Sequence, residues 1–341
     1  MNIIIINIVC YLIFPILVLW KAEYLKNSWN EAVLTKDDSA AMRGIAALFV
    51  VFAHYLYYLN EHGINRMGPA KLMQWCGGLG VCVFFFASGY GLWMSYQNKG
   101  VDRSYLYNRF KNLIPVIIIL RLIFGLTSGI TRKGALYFLL YIFNLKEPLW
   151  FVSEIVLVYI IYYVAMKISK KHSIKLVSCM LVIMSIIFYL LGFEARWYNA
   201  NLVFAAGLLS AKYRKNLLDF FKKQYFLKLS SLIILFGICA IGFSTFKGDV
   251  WANILKLIAG AIFSICIFCI LMKLRIHSRL LLIIGRSSLQ IYIIHLGVRD
   301  IWAGAFGENY LLLQFIGGII TSVILTVIYY FTDLQIKSAG L

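Results

Sequence analysis

The chain carries little charge, and little of that is acidic. Only 14% of its 341 residues are Asp, Glu, Lys or Arg, and 14 acidic residues stand against 33 basic ones. A soluble domain of this length needs a charged shell, so that class is excluded. No long polar domain interrupts the apolar stretches, and there is no low-complexity tract and no internal repeat. The missing repeat weighs against transporter folds built from duplicated halves. The start, "MNIIIINIVCYLIFPILVLWK", lacks the basic n-region and small-residue cleavage site of a secretory signal, so it reads as a retained spanning helix. Metal-ligand spacing is missing as well. Of seven cysteines the one close pair, "CIFC" at Cys266 and Cys269, sits in an apolar run with no second pair or histidine nearby. These cysteines read as small buried hydrophobes, and neither a metal site nor a disulfide framework is expected.

What is present is apolar. Hydrophobic residues make up 62% of the chain and the mean hydropathy is +0.83. The expected fold is all-α, a polytopic membrane bundle of about eleven transmembrane helices. The apolar stretches run over 2–20, 43–59, 77–95, 113–131, 148–166, 175–192, 198–211, 227–245, 253–272, 280–298 and 310–332. The stretch 198–211 is short, so it is tilted or partly re-entrant. The segment 134–145, "GALYFLLYIFNL", is too short to cross and reads as a helix at or dipping into the membrane. Net charge is +19. No nucleic-acid module accompanies it, and the basic residues instead fill alternate loops facing anionic lipid. The loops on one side of the map carry 23 Lys and Arg, those on the other 8. That bias places the N-terminus outside and the C-terminus in the cytosol of a multi-pass cell-membrane protein.

Ionisable side chains inside such helices mark function by default. In "RGIAALFVVFAHYLYYL", Arg43 begins the second stretch at its cytosolic end. His54, eleven residues on, lies about 16 Å deeper, past mid-membrane. Eleven steps of about 100° return it to the same face, so Arg43, Ala47, Val50 and His54 form one stripe. Taken singly, Arg43 also fits a snorkelling anchor and His54 a helix–helix hydrogen bond. A neutral imidazole at that depth can accept a proton from a hydroxyl. Glu154 and His295 fall near the outer ends of their helices, and Ser88 and Arg121 near mid-membrane. His295 also fits an interfacial position, and Ser88 a bond back along its own helix. A carboxylate at the depth of Glu154 needs a partner. The basic cluster "DRSYLYNRFKNLIP" offers Arg109 and Lys111 beside Arg43, either as a solvated loop or as a phosphate site.

In order along the chain, several stretches resemble motifs of the acyltransferase 3 family, membrane proteins that O-acylate cell-surface carbohydrates. "MRGIAALFVVFAH" resembles its Arg-x10-His signature, and "GVCVFFFASGYGL" its Gly-rich, double-Phe, Ser-Gly-aromatic helix. "YNRFKNLIP" resembles its basic segment ending in Pro, "LWFVSEI" its Trp-then-Glu helix and "GRSSLQIYIIHLGV" its late Ser…Tyr-x-x-His helix. The likeness covers about 39–332. It implies a ten-helix core over 39–341, with 1–38 an extra helix and cytosolic linker. It also implies a cytosolic acyl-CoA donor, acetyl-CoA above all and used as substrate, and a carbohydrate acceptor. His54 would be the catalytic residue, with Glu154 orienting it or binding the acceptor. Arg43 would lie at the donor with Arg109, Lys111 and Ser88, and His295 and Arg121 near the acceptor. Two positions depart from the pattern. Ala40 stands where the family often has an acid three before the arginine, and Asn112 where it has a second arginine. Eleven spans with buried Arg121, His54 and Glu154 also suit a carrier of polysaccharide or lipid-linked sugar, and a membrane scaffold is a third reading. The missing repeat and the Arg43–His54 stripe favour the enzyme.

Overall fold

A computed structural model of the chain describes residues 2–64, 68–101, 104–127, 150–246, 248 and 250–338. The expected helix over 134–145 lies outside these. Each of the eleven apolar stretches falls on a helix or a bent helix pair. They are α1 (Ile3–Leu19), α2 (Lys36–Glu61), α3 (Ala70–Lys99), α4 (Ser104–Thr127), α5 (Trp150–Ile168) and α6 (Ser173–Leu190). There follow α7 (Val203–Lys212), α9 (Tyr225–Thr245), α10 (Val250–Leu271) and α13 (Leu311–Ser338). The tenth stretch breaks into α11 (Arg279–Arg286) and α12 (Ser288–Phe306), bent by 86°. The remaining helix, α8 (Arg214–Lys222), is strongly amphipathic, burying Leu218 and Phe221. Seven helices among the described residues are long and apolar enough to cross a membrane, eight with the bent pair as one span. In α1 a five-residue π turn, Val9–Ile13, interrupts the α-helix.

The bundle is built around α2. Of its most apolar stretch 72% is buried inside the protein, against 6% for α9, so α2 faces protein and α9 is left to face lipid. α2 packs on α3, α11, α12 and α13. Small residues set these approaches. A Cβ at Gly285 of α11 would lie 1.7 Å from the Ala40 carbonyl oxygen, and one at Gly44 2.4 Å from that of Leu281. α3 and α7 meet in the same way, through Gly89 and Gly207. Ala40, where the family pattern often carries an acid, is fully buried at the first of these crossings. The nearby acid, Asp38, closes a capping box with Thr35, and its carboxylate also accepts from Asn30 at 3.3 Å.

The segment between α1 and α2 is tied to the end of α10. Strands β1 (Glu23–Tyr24) and β2 (Leu274–Arg275) pair antiparallel. Buried Lys273 donates to the carbonyls of Leu25, Lys26 and Ser28 at 3.0, 3.2 and 3.0 Å, and its ammonium lies 3.8 Å over the Trp29 ring. Lys222 pairs with Glu31 at 2.6 Å and holds its carboxyl below the usual range. Lys273→Met strips three carbonyls of a charged donor at once. It should cost about 3 kcal/mol and lower the thermal midpoint in detergent. Limited proteolysis should then cut within 21–34 first, and a wild-type cleavage pattern would refute the tether.

Candidate active site

His54 and His295 meet. α2 and α12 bring two residues 241 apart in sequence to 2.8 Å, His54 Nδ1 to His295 Nε2, with the rings stacked at 18°. Beneath them the Tyr55 hydroxyl donates to the His295 carbonyl at 3.5 Å, and Gly318 of α13 makes room for the Tyr55 ring. His295 is fully buried, and its Nδ1 lies 2.9 Å from the Ile291 carbonyl oxygen. A carbonyl only accepts, so Nδ1 carries the hydrogen. In the neutral ring Nε2 is then an acceptor, and His54 donates to it from Nδ1. The neutral His54 ring keeps a lone pair at Nε2. His295 thus fixes both the tautomer and the orientation of His54.

His54 lines a cavity of about 750 Å³ at the end of the bundle away from Arg43. Val50 and Ala53 form part of the same wall, so the stripe expected on α2 reaches the cavity. The opposite walls carry aromatic rings, Trp75, Trp150 and Tyr292 among them, and three cations, Arg196, Lys256 and Arg299. Arg299 is paired with Asp300 at 2.7 Å and Arg196 with Glu194 at 2.8 Å. These two arginines are the charged groups that act on His54.

A second group forms at the other end. Arg43 Nε donates to the Ser39 carbonyl at 3.2 Å, and the residue lies within electrostatic reach of Tyr159 and Arg109. The Arg109 guanidinium sits 5.7 Å from the ring centroids of both Tyr105 and Tyr159. The Tyr159 hydroxyl is 3.5 Å from Ser88 Oγ. Arg43, Arg109 and Ser88 therefore converge on Tyr159, which was not among the expected residues. Lys111 points elsewhere, over the exposed ring of Tyr107 at 5.5 Å.

Two further expected residues stand apart. Glu154 is fully buried on α5, one turn below Trp150, with Asn201 as its polar neighbour. The partner of His54 is His295, not Glu154. Arg121 is buried on α4, outside the described lining of the cavity. Lys256, a charge inside the apolar stretch 253–272, reaches the cavity and was not among the expected site residues. Among the described residues no three His, Cys, Asp or Glu side chains are grouped to hold a metal.

An all-α bundle with seven or eight described helices long and apolar enough to span defines a polytopic membrane protein. Residues 38–331 match the acyltransferase domain of the acyltransferase 3 family, and the chain belongs to that family. It is a multi-pass membrane O-acyltransferase. No curated protein and no solved structure matches it.

Proposed function

We propose that the protein takes an acyl group, acetyl above all, from cytosolic acyl-CoA. It passes that group to a hydroxyl of a cell-surface or exported carbohydrate. The observation that carries this reading is the pair of sites at opposite ends of one α2 face. A basic group of Arg43 and Arg109 gathers at Tyr159, and the His54–His295 pair lies eleven residues on, in the cavity. Guanidinium groups match phosphate oxygens, so the donor's phosphates belong at the first site and its thioester at the second. The loop-charge bias puts the Arg43 end in the cytosol and the cavity outside, with the N-terminus outside as well.

In the reaction the acceptor hydroxyl enters from the cavity. His54 Nε2 removes its proton as the oxygen attacks the thioester carbonyl. The new C–O bond forms, the C–S bond breaks, and the thiolate of CoA leaves with the proton that His54 held. Thioester and ester are close in energy, so the protein's task is positioning and exclusion of water. Ser88, which meets Tyr159, assists at the donor end, and Glu154, one turn from the cavity-lining Trp150, stands behind the acceptor end. The test is vectorial. Protein is reconstituted in vesicles with labelled acetyl-CoA on the Arg43 side and an oligosaccharide on the other. Ester should form on the oligosaccharide, read by proton NMR. Acylation that requires donor and acceptor on the same side would refute the path through the bundle.

A further inference from the structure

Among the described residues Lys256 has no counter-ion. It lies within the apolar helix α10, at the end that meets the cavity, and its side chain crosses α3 where Gly78 leaves space. A Cβ at Gly78 would lie 3.3 Å from Lys256 Cε and 3.6 Å from Nζ. Among the described residues no carboxylate lies within ion-pair distance of it, and its ring neighbour, Phe243, is 5.9 Å away. Cys82 is within electrostatic reach of both Lys256 and Glu154, yet those two make no ion pair. The adjacent helix turn is shared with the catalytic wall, because Gly77 packs on Ala53, the residue before His54.

An ammonium held in a membrane helix without a partner costs several kcal/mol unless something supplies the missing charge. The cavity's other charges do not supply it. Arg196 and Arg299 add positive charge, and their carboxylate partners, Glu194 and Asp300, lie exposed at the rim. The one acid on the cavity wall, Glu61, is exposed at the end of α2. Among the described residues the two arginines of the lining are paired with exposed carboxylates, and Lys256 is the lining cation left to a ligand, beside a histidine assigned to a sugar hydroxyl. Flat aromatic walls beside them fit the apolar faces of sugar rings.

We propose that the acceptor is an anionic glycan, and that Lys256 binds its carboxylate or phosphate while Arg299 and Arg196 draw it into the cavity. This rests on the acyltransferase reading above and adds the charge class of the acceptor. Lys256 thereby sets which hydroxyl reaches His54, since the anionic group is anchored on a different helix from the base.

The test uses the whole reconstituted protein, acetyl-CoA and three acceptors. These are a glucuronate-containing oligosaccharide, its carboxyl-reduced glucose counterpart, and a glycerol-phosphate oligomer joined by phosphodiesters. At least one anionic acceptor should exceed the neutral one by about tenfold in kcat/KM, mainly through KM. The anionic acceptor that is preferred tells carboxylate from phosphate. The preference should shrink as salt rises. It should fall by about tenfold in Lys256→Gln and return in Lys256→Arg. The wild-type comparison stands even where a variant misfolds. Equal use of all three acceptors by the wild-type protein overturns the anionic assignment and leaves the acyltransferase reading standing. Transfer to none of them, with acetyl-CoA or succinyl-CoA as donor, removes both.

Discussion

His54→Ala should lower acyl transfer by about a thousandfold, the size of effect a positioned general base supplies. The half-buried ring lines a cavity, so its removal enlarges space already open and the protein should still elute as a folded species. His295→Ala tests the geometry from behind. That residue touches no substrate, and its loss lets the His54 ring turn and change tautomer, which should cost about a hundredfold. His295→Gln separates orientation from mere packing. Its amide oxygen can accept from His54 Nδ1 in place of the ring nitrogen, so it should recover much of the rate that alanine loses. All three variants are to be compared in the reconstituted assay, with thermal midpoints measured alongside. Full activity in His54→Ala would sink the assignment of the base. Equal rates for His295→Ala and His295→Gln would sink the tautomer argument.

The Arg43–His54 relation was legible because it is local: one helix, one period, one face. The all-α membrane bundle was legible for a similar reason, since its helices are runs of apolar residues, although seven or eight of the described helices, against about eleven expected, are long and apolar enough to cross. Contacts between helices were not. His54 and His295 were both visible as ionisable groups near the outer side, but nothing in either stretch says that they face each other. That follows from where Gly44 and Gly285 let α2 and α11 cross, and from the 86° bend that turns α12 back along α2. The bend falls at a polar break inside that stretch, Gly285-Arg286-Ser287-Ser288, which the reading as one span passed over. Tyr159 was one of three tyrosines in "LWFVSEIVLVYIIYY", and only packing distinguishes it. Lys256 and Arg121 gave the same signal, a charge inside a span, yet one reaches the cavity and the other lies elsewhere. Ala40 departs from the family pattern; in the fold it is fully buried with its carbonyl against α11, and the neighbouring acid Asp38 is engaged in the helix cap.

Gly285→Ala should be the most damaging single methyl among the described glycines. The added Cβ would fall 1.7 Å from the Ala40 carbonyl oxygen and 2.9 Å from the Gly44 nitrogen. Both are backbone atoms of the most buried helix, so no side chain can turn aside, and the two helices must separate. Overpacking of this kind costs about 3 kcal/mol or more. Gly237 supplies the control. It lies on lipid-facing α9, and a Cβ there meets nothing within 4 Å. Gly237→Ala should be neutral or stabilise slightly, because alanine is the better helix former by about 1 kcal/mol. Folded yield and thermal midpoint in detergent, measured on both, isolate the crossing from helix propensity. The activity of whatever Gly285→Ala protein folds is equally informative. Gly44 adjoins Arg43, and α11 leads into the helix that carries His295. A separation here therefore disturbs both ends of the proposed path, and kcat should fall further than the folded yield explains. A Gly285→Ala protein with the wild-type midpoint and the wild-type rate would mean that α2 and α11 do not make this crossing.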